Sequence, residues 1–441
     1  MRPKLGIINI AMEVYPHQLA DPLLDSLMVD LGQDANVTYL GKAFDADTAR
    51  EKAIKIRGMD LDLAVVFLST WVDATVAMAA LLELENVPTV LWGLPMFDGS
   101  STGSLVGLAV VKGSLEQMGR RADFVYGLPE TAAQSILGKA KINAVARNLR
   151  RQKIGLFGYA SMGMYTATFD HANLRAALGP EVLHVDNYAL VRSMEALPDD
   201  AVRTERQAML KKLPLSSPDL DEPFTNAVKM RLALKEIIAE EKLDAVSLKC
   251  QHEISRTYGC TCIPLAFLVE DGLPATCEGD VPGLVTAMML RALTEKPAFF
   301  CDFINAEEDN VWFSSCGFIA PSLTEGKITV KRQIHEIGEQ GAIISAAPKK
   351  GDVTIARLAQ RPAGKYAMHL ASGTVEEGYL REHIYADGSH DHLFPIARVK
   401  LPYPSTKFLS DVVSNHYLLT WADCREDLGQ LCRVMGIEMI V

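Results

Sequence analysis

"LDLAVVFLSTWVDATVAMAALLELENVPTVLWG", residues 61–93, holds the pattern that decides the fold. It begins and ends with short runs, 61–68 and 87–93, that are apolar almost without alternation. A strand with one wet face alternates polar and apolar residues. A strand that is apolar throughout belongs to a parallel sheet covered on both sides. The intervening "VDATVAMAALLELE" (72–85) reads as a helix. Working outward, "KLGIINI" (4–10), "VTYL" (37–40) and "ADFVYG" (122–127) add three more strands. Five such strands spaced by helices predict a flavodoxin-like doubly wound domain over residues 1–150.

A second alternating series follows the basic stretch "NLRRQK" (148–153). Its expected strands are 154–158, 182–186, 244–249, 274–279 and 298–303, with a striped amphipathic helix over 226–241. This predicts a second α/β domain, 151–308. From about residue 310 the pattern changes to short alternating runs: "KITVKR" (327–332), "DVTIARLA" (352–359), "KYAMHLA" (365–371) and "ARVKLPY" (397–403). Period-two alternation with Gly and Pro punctuation predicts antiparallel strands. A helix near 425–435 and a last strand "IEMIV" close a domain spanning 309–441. The expected class is therefore α/β: two doubly wound parallel-sheet domains followed by a small antiparallel, β-barrel-like domain.

Composition bounds the function. Apolar residues make up 49% of the 441 and charged residues 22%, an ordinary globular balance. A formal charge of −11 argues against a general nucleic-acid binder, which needs clustered Lys and Arg. The eight cysteines lack paired C-x-x-C spacing, so reduced thiols in a cytoplasmic protein are expected. The opening "MRPKLGIINIAMEV" is basic and then apolar. Its apolar run is short, is ended by Glu13, and is followed by no small-residue cleavage site. No uncharged apolar segment is long enough to span a bilayer, so no membrane partner is expected.

Chemistry is expected where carboxylates stand at strand ends, because ligands of open α/β sheets bind beyond the carboxyl ends of the strands. Glu278 in "TCEGDVPGLVTAMML" and Asp302 in "PAFFCDF" occupy such positions, one crossover apart, which predicts neighbouring strands. Two carboxylates brought together repel unless a cation lies between them. A hard divalent ion such as Mn²⁺ or Mg²⁺ answers this. The competing reading is a helix cap, and Asp280 fits that role ahead of "VPGLVTAMML". His416 in "SNHYLLTWAD" is a lone histidine, a type that is more often structural. His383, His390 and His392 in "REHIYADGSHDH" are dense but sit in a loop-like context. Lys249 and Gln251 follow a strand end and are candidate substrate contacts. No G-x-G-x-x-G follows the first strand, which argues against a dinucleotide-dependent oxidoreductase.

Taken together, these segments resemble the L-fucose isomerase and L-arabinose isomerase superfamily, in its shorter, fucose-isomerase-like form. The resemblance covers most of the chain. It rests on the strand–helix–strand of residues 65–93, "GLFGYASMGMYTATFD" (155–170), the two carboxylate motifs, and "NHYLLTWADCREDLGQLCRVMGIEMIV" (415–441). It implies aldose–ketose isomerisation of a sugar through a cis-enediol. It further implies a divalent ion, usually Mn²⁺, on Glu278, Asp302 and His416, with Glu278 and Asp302 as the acid/base pair. It also implies a homo-oligomer, a trimer or hexamer, in which a first domain helps complete a neighbour's pocket. Trp71, Met164, Tyr165, Lys249, Gln251, Ser315 and Asn415 are the candidate substrate contacts. Two departures stand out: Ser315 and Asn415 occupy positions where the family often has His. They leave room for an epimerase or carbon–carbon lyase using the same enediolate, and for a sugar-binding protein without catalysis.

Overall fold

Strands β1 (Lys4–Ile10), β2 (Asn36–Ala43), β3 (Leu63–Leu68), β4 (Thr89–Gly93) and β5 (Asp123–Tyr126) form one parallel sheet in a computed structural model that describes residues 2–160, 162–334, 341–385 and 387–441. Their order is β2-β1-β3-β4-β5, the flavodoxin-like arrangement. Successive residues of each central strand serve opposite faces. Leu5, Ile7, Val65 and Phe67 enter one apolar core, and Ile8, Ile10, Ala64, Val66 and Leu68 enter the other. Burial on both faces is the physical reason these strands lack alternation. The helix expected over 72–85 runs over Ala74–Leu81, capped by the Asp73 carboxylate.

This sheet belongs to a compact unit, Met1–Arg147; a second unit spans Asn148–Val441. The second unit opens with β6 (Lys153–Phe157), β7 (Glu181–Val185), β8 (Ala245–Leu248) and β9 (Ala275–Cys277), parallel in the order β7-β6-β8-β9. The expected fifth strand, 298–303, is not in this sheet. It continues as β10 (Phe299–Glu307) and turns back into β11 (Asn310–Ser314), so Glu278 and Asp302 do not lie on neighbouring parallel strands. The reason lies in the sequence after Asp302. "EED" at 307–309, with Glu308 at φ +52, makes a tight reversal that pairs the chain with itself, not with a parallel neighbour.

The remaining strands are β12 (Thr324–Arg332), β13 (Ala342–Pro348), β14 (Gly351–Gln360), β15 (Tyr366–Ile384), β16 (His390–Lys400), β17 (His416–Thr420) and β18 (Glu438–Ile440). β12 pairs with β13. The others join β10 and β11 in the order β14-β17-β10-β11-β16-β15-β18, and β14 also pairs with β15. All of these pairings are antiparallel except β15 with β18. The helix Val281–Thr294 links the parallel sheet of this unit to its seven-stranded sheet and is buried from Val281 to Leu290. It delivers the chain from the end of β9 to the start of β10. Among the described residues no helix is long and apolar enough to cross a membrane. All eight cysteines are free thiols.

Candidate active site

Three elements of the second unit converge. β9 ends at Cys277, and the next two residues, Glu278 and Gly279, both take left-handed backbone conformations (φ +64 and +69). A buried non-glycine residue held there stores about 1–2 kcal/mol of strain, a feature that collects at functional sites. Gly279 has no alternative: a Cβ there would stand 2.3 Å from the Tyr159 carbonyl oxygen. Asp280 then caps the long helix, its Oδ1 accepting from the Gly283 amide at 2.8 Å. The cap expected at Asp280 is present, and it leaves Oδ2 free for a second task.

The second and third elements are β10 and β17. Their antiparallel register sets Asp302 directly opposite His416, and directly opposed residues project from the same face. His416 Nε2 lies 3.5 Å from Asp302 Oδ1 and 3.5 Å from Glu278 Oε2. The other ring nitrogen, Nδ1, lies 2.8 Å from Asp280 Oδ2. That oxygen also accepts from Arg357 Nη1 at 2.6 Å, and Arg357 Nη2 donates to the Thr166 carbonyl at 2.7 Å. Asp280 and Arg357 are wholly buried, and His416 is 1% exposed. The Asp302 side chain is 44% exposed, which makes it the wet edge of the group.

The electrostatics follow from burial and proximity. Desolvation lifts the Glu278 carboxyl to about 7, with Asp302 and Asp280 adding and His416 and Gln251 opposing. Burial also pushes Asp280 up, but Arg357 and His416 outweigh it and bring the group to about 2. Burial disfavours the His416 cation, yet Asp280, Asp302 and Glu278 together raise its pKa above the ordinary value.

The residues fit a hard divalent cation. Glu278 Oε2 is buried without a hydrogen-bond partner among the described residues. Two cis ligands about 2.1 Å from one ion lie about 3 Å apart, close to the 3.5 Å separations here. Among the described residues no three His, Cys, Asp or Glu side chains are placed to hold a metal ion as they stand, so binding would require these side chains to draw together and the ring nitrogen facing the ion to be unprotonated.

The other expected residues are distributed as follows. Gln251 Nε2 donates to Glu278 Oε1 at 3.1 Å, which fixes the far carboxylate oxygen. Asn415 Nδ2 donates to Asp302 Oδ1 at 3.0 Å and lies 3.6 Å from Met164 Sδ. Lys249 is paired with Glu253, its ammonium 3.8 Å from the centre of the Tyr159 ring. The Ser315 hydroxyl donates to the Phe318 carbonyl, 3.1 Å away. Tyr165 is 89% exposed. Trp71 lies in the first unit, its ring 5.9 Å from that of Tyr15. His383 and His390 stand on β15 and β16, and the His390 ring pairs with Glu382 at 2.6 Å. Sequence reading missed Arg357 altogether and saw Asp280 only as a cap.

No protein-family model matches the chain. Curated relatives do. It is 24% identical over 398 residues to a sulfoquinovose isomerase of Priestia aryabhattai, covering 87% of this chain and 86% of that one. A sulfoquinovose isomerase of Alkalicoccus urumqiensis is 23% identical over 391 residues, covering 86% and 85%. Among solved structures, the ligand-free, open form of the substrate-binding protein CD0873 from Clostridium difficile aligns at 12% identity. It covers 69% of this chain and 79% of that one with a TM-score of 0.18, too low to bear on the fold.

Proposed function

We propose that the chain is a metal-dependent aldose–ketose isomerase of a sugar, with Mn²⁺ as the expected ion and Glu278, Asp302 and His416 as its ligands. The observation that carries the reading is the meeting of Glu278 Oε2 and Asp302 Oδ1 on one ring nitrogen, His416 Nε2, at 3.5 Å each. When bound, the ion polarises the oxygens on sugar carbons 1 and 2, which acidifies the adjacent C–H. Glu278, buried and with no hydrogen-bond partner for Oε2 among the described residues, takes the proton from carbon 2 of the aldose. Asp302 handles the hydroxyl proton on the neighbouring oxygen. The resulting cis-enediol collapses to the ketose when Glu278 returns its proton to carbon 1. Proton transfer by a positioned side chain contributes about 10²–10⁴-fold.

The names of the relatives support both the reaction class and a first substrate to try: sulfoquinovose, a sulfonated hexose. The chain is further proposed to work as a homo-oligomer, a trimer or hexamer, with Trp71 lining a neighbouring copy's pocket; a fully active monomer in sedimentation at assay concentration overturns that part. The test of the main reading is incubation with Mn²⁺ and either sulfoquinovose or a panel of unsubstituted aldoses, followed by carbon NMR. The expected result is a ketose growing toward an equilibrium mixture in at least one sample. Unchanged sugar throughout, from protein that holds its ion, overturns it. An epimer or a cleaved product instead points to the lyase or epimerase chemistry of the same intermediate.

A further inference from the structure

The buried chain Arg357–Asp280–His416 carries an inference that rests on this reading. We infer that Asp280, held by Arg357, is the positioning residue that fixes the His416 ring and its tautomer, leaving the Nε2 lone pair aimed between Glu278 and Asp302. An ionised carboxylate is an acceptor only. With Asp280 Oδ2 at 2.8 Å from Nδ1, the neutral ring must carry its proton on Nδ1. Nε2 is then bare, and it is the nitrogen 3.5 Å from both proposed carboxylate ligands. Partners of this kind orient a ligating histidine, and their loss typically costs about 10–100-fold in metal affinity.

Two features separate this from ordinary core packing. Capping the helix uses only Oδ1, through the Gly283 amide, so Oδ2 is not needed for the helix start. Arg357 is also anchored beyond Asp280, on the Thr166 carbonyl. One guanidinium thereby ties β14, the helix start and the segment after β6 to a single carboxylate. Arg357 is wholly buried, and a cation there has no use unless it faces a fixed anion.

The decisive variant is Asp280→Asn. Asparagine is as good a helix cap as aspartate, so its carbonyl can keep the Gly283 bond. Its amide nitrogen then takes the place of Oδ2 and accepts from neither Arg357 Nη1 nor the ring, so the acceptor that held the proton on Nδ1 is lost and the ring proton moves to Nε2. Two measurements read this. The first is ¹⁵N NMR of the His416 ring in metal-free protein, at a pH high enough to leave the ring neutral. The expected result is an Nδ1–H tautomer in the native chain and Nε2–H in the variant. The second is calorimetric titration with Mn²⁺, where the variant is expected to bind about 10–100-fold more weakly than the native chain. Thr286→Val, which removes a buried hydroxyl from the same helix without touching His416, serves as the stability control and is expected to keep native affinity. The two proposals fail differently. A native chain that takes up no Mn²⁺ sinks the metal reading, while the NMR result still judges the tautomer. The same tautomer in both proteins, or equal Mn²⁺ affinity in both, overturns the role given to Asp280.

Discussion

Glu278→Gln and Asp302→Asn ask whether these carboxylates do more than hold an ion. An amide oxygen still coordinates a hard cation, though with less charge, but it is no base near neutral pH. Both variants are expected to lose about 10²–10⁴-fold in turnover even at saturating Mn²⁺. His416→Asn is expected instead to recover partly as Mn²⁺ is raised. Turnover measured against metal concentration separates the two behaviours, and full recovery of the carboxamide variants would reduce Glu278 and Asp302 to ligands alone. Glu278 and Asp302 stood out in the sequence as charged residues at the ends of apolar runs, whereas His416, a lone histidine, was singled out only by the family resemblance. Arg357 did not stand out. It lies in "DVTIARLA", on the same alternating face as Val353 and Ile355, where nothing local names the anion it meets, and its partner is 77 positions away. A buried ion pair between distant segments leaves no local pattern.

β10 shows what can and cannot be read at the scale of an element. Its apolar start matches the run that begins a parallel strand, and only the reversal at 307–309 and the pairing with β17 reveal an antiparallel one. The consequence is functional: the β10–β17 register, not a parallel neighbour, brings Asp302 to His416. The helix between β9 and β10 is the other determinant. Leu284 on it is fully buried, so Leu284→Ala is expected to cost about 2–5 kcal/mol in urea unfolding. β15 and β17 are also joined, through the Tyr417 hydroxyl and His369 Nδ1 at 2.7 Å. Burial, with Lys407 adding and Asp411 opposing, lowers His369 to about 4. Between pH 6.5 and 4 the unfolded chain therefore takes up a proton that the folded chain refuses. Stability is full above 6.5 and falls by on the order of 3 kcal/mol toward pH 4. His369→Gln is expected to flatten that part of the urea-derived stability curve; an unchanged slope would show that His369 titrates normally in the fold.

At the scale of the whole molecule the first unit was the most legible part. Its strands carry two cores, one per face, so the hydrophobic runs alone give both their number and their parallel packing. The antiparallel part was legible in kind but not in pairing, since alternation names a strand without naming its partner; "AIISAAP" (β13) was not read as a strand, and the strand at His416 (β17) was implied only by the family resemblance. Glu278, Asp302, His416, Asp280 and Arg357 all belong to the unit Asn148–Val441, so the proposed ion should be held by that unit's own residues. The measurement that tests the central claim most directly is turnover of stripped protein as Mn²⁺ is added back, with bound metal counted per chain. The account predicts negligible turnover after chelation, and recovery that saturates at one ion per chain and fails in Glu278→Gln. Turnover undiminished in protein shown to hold no metal would contradict it.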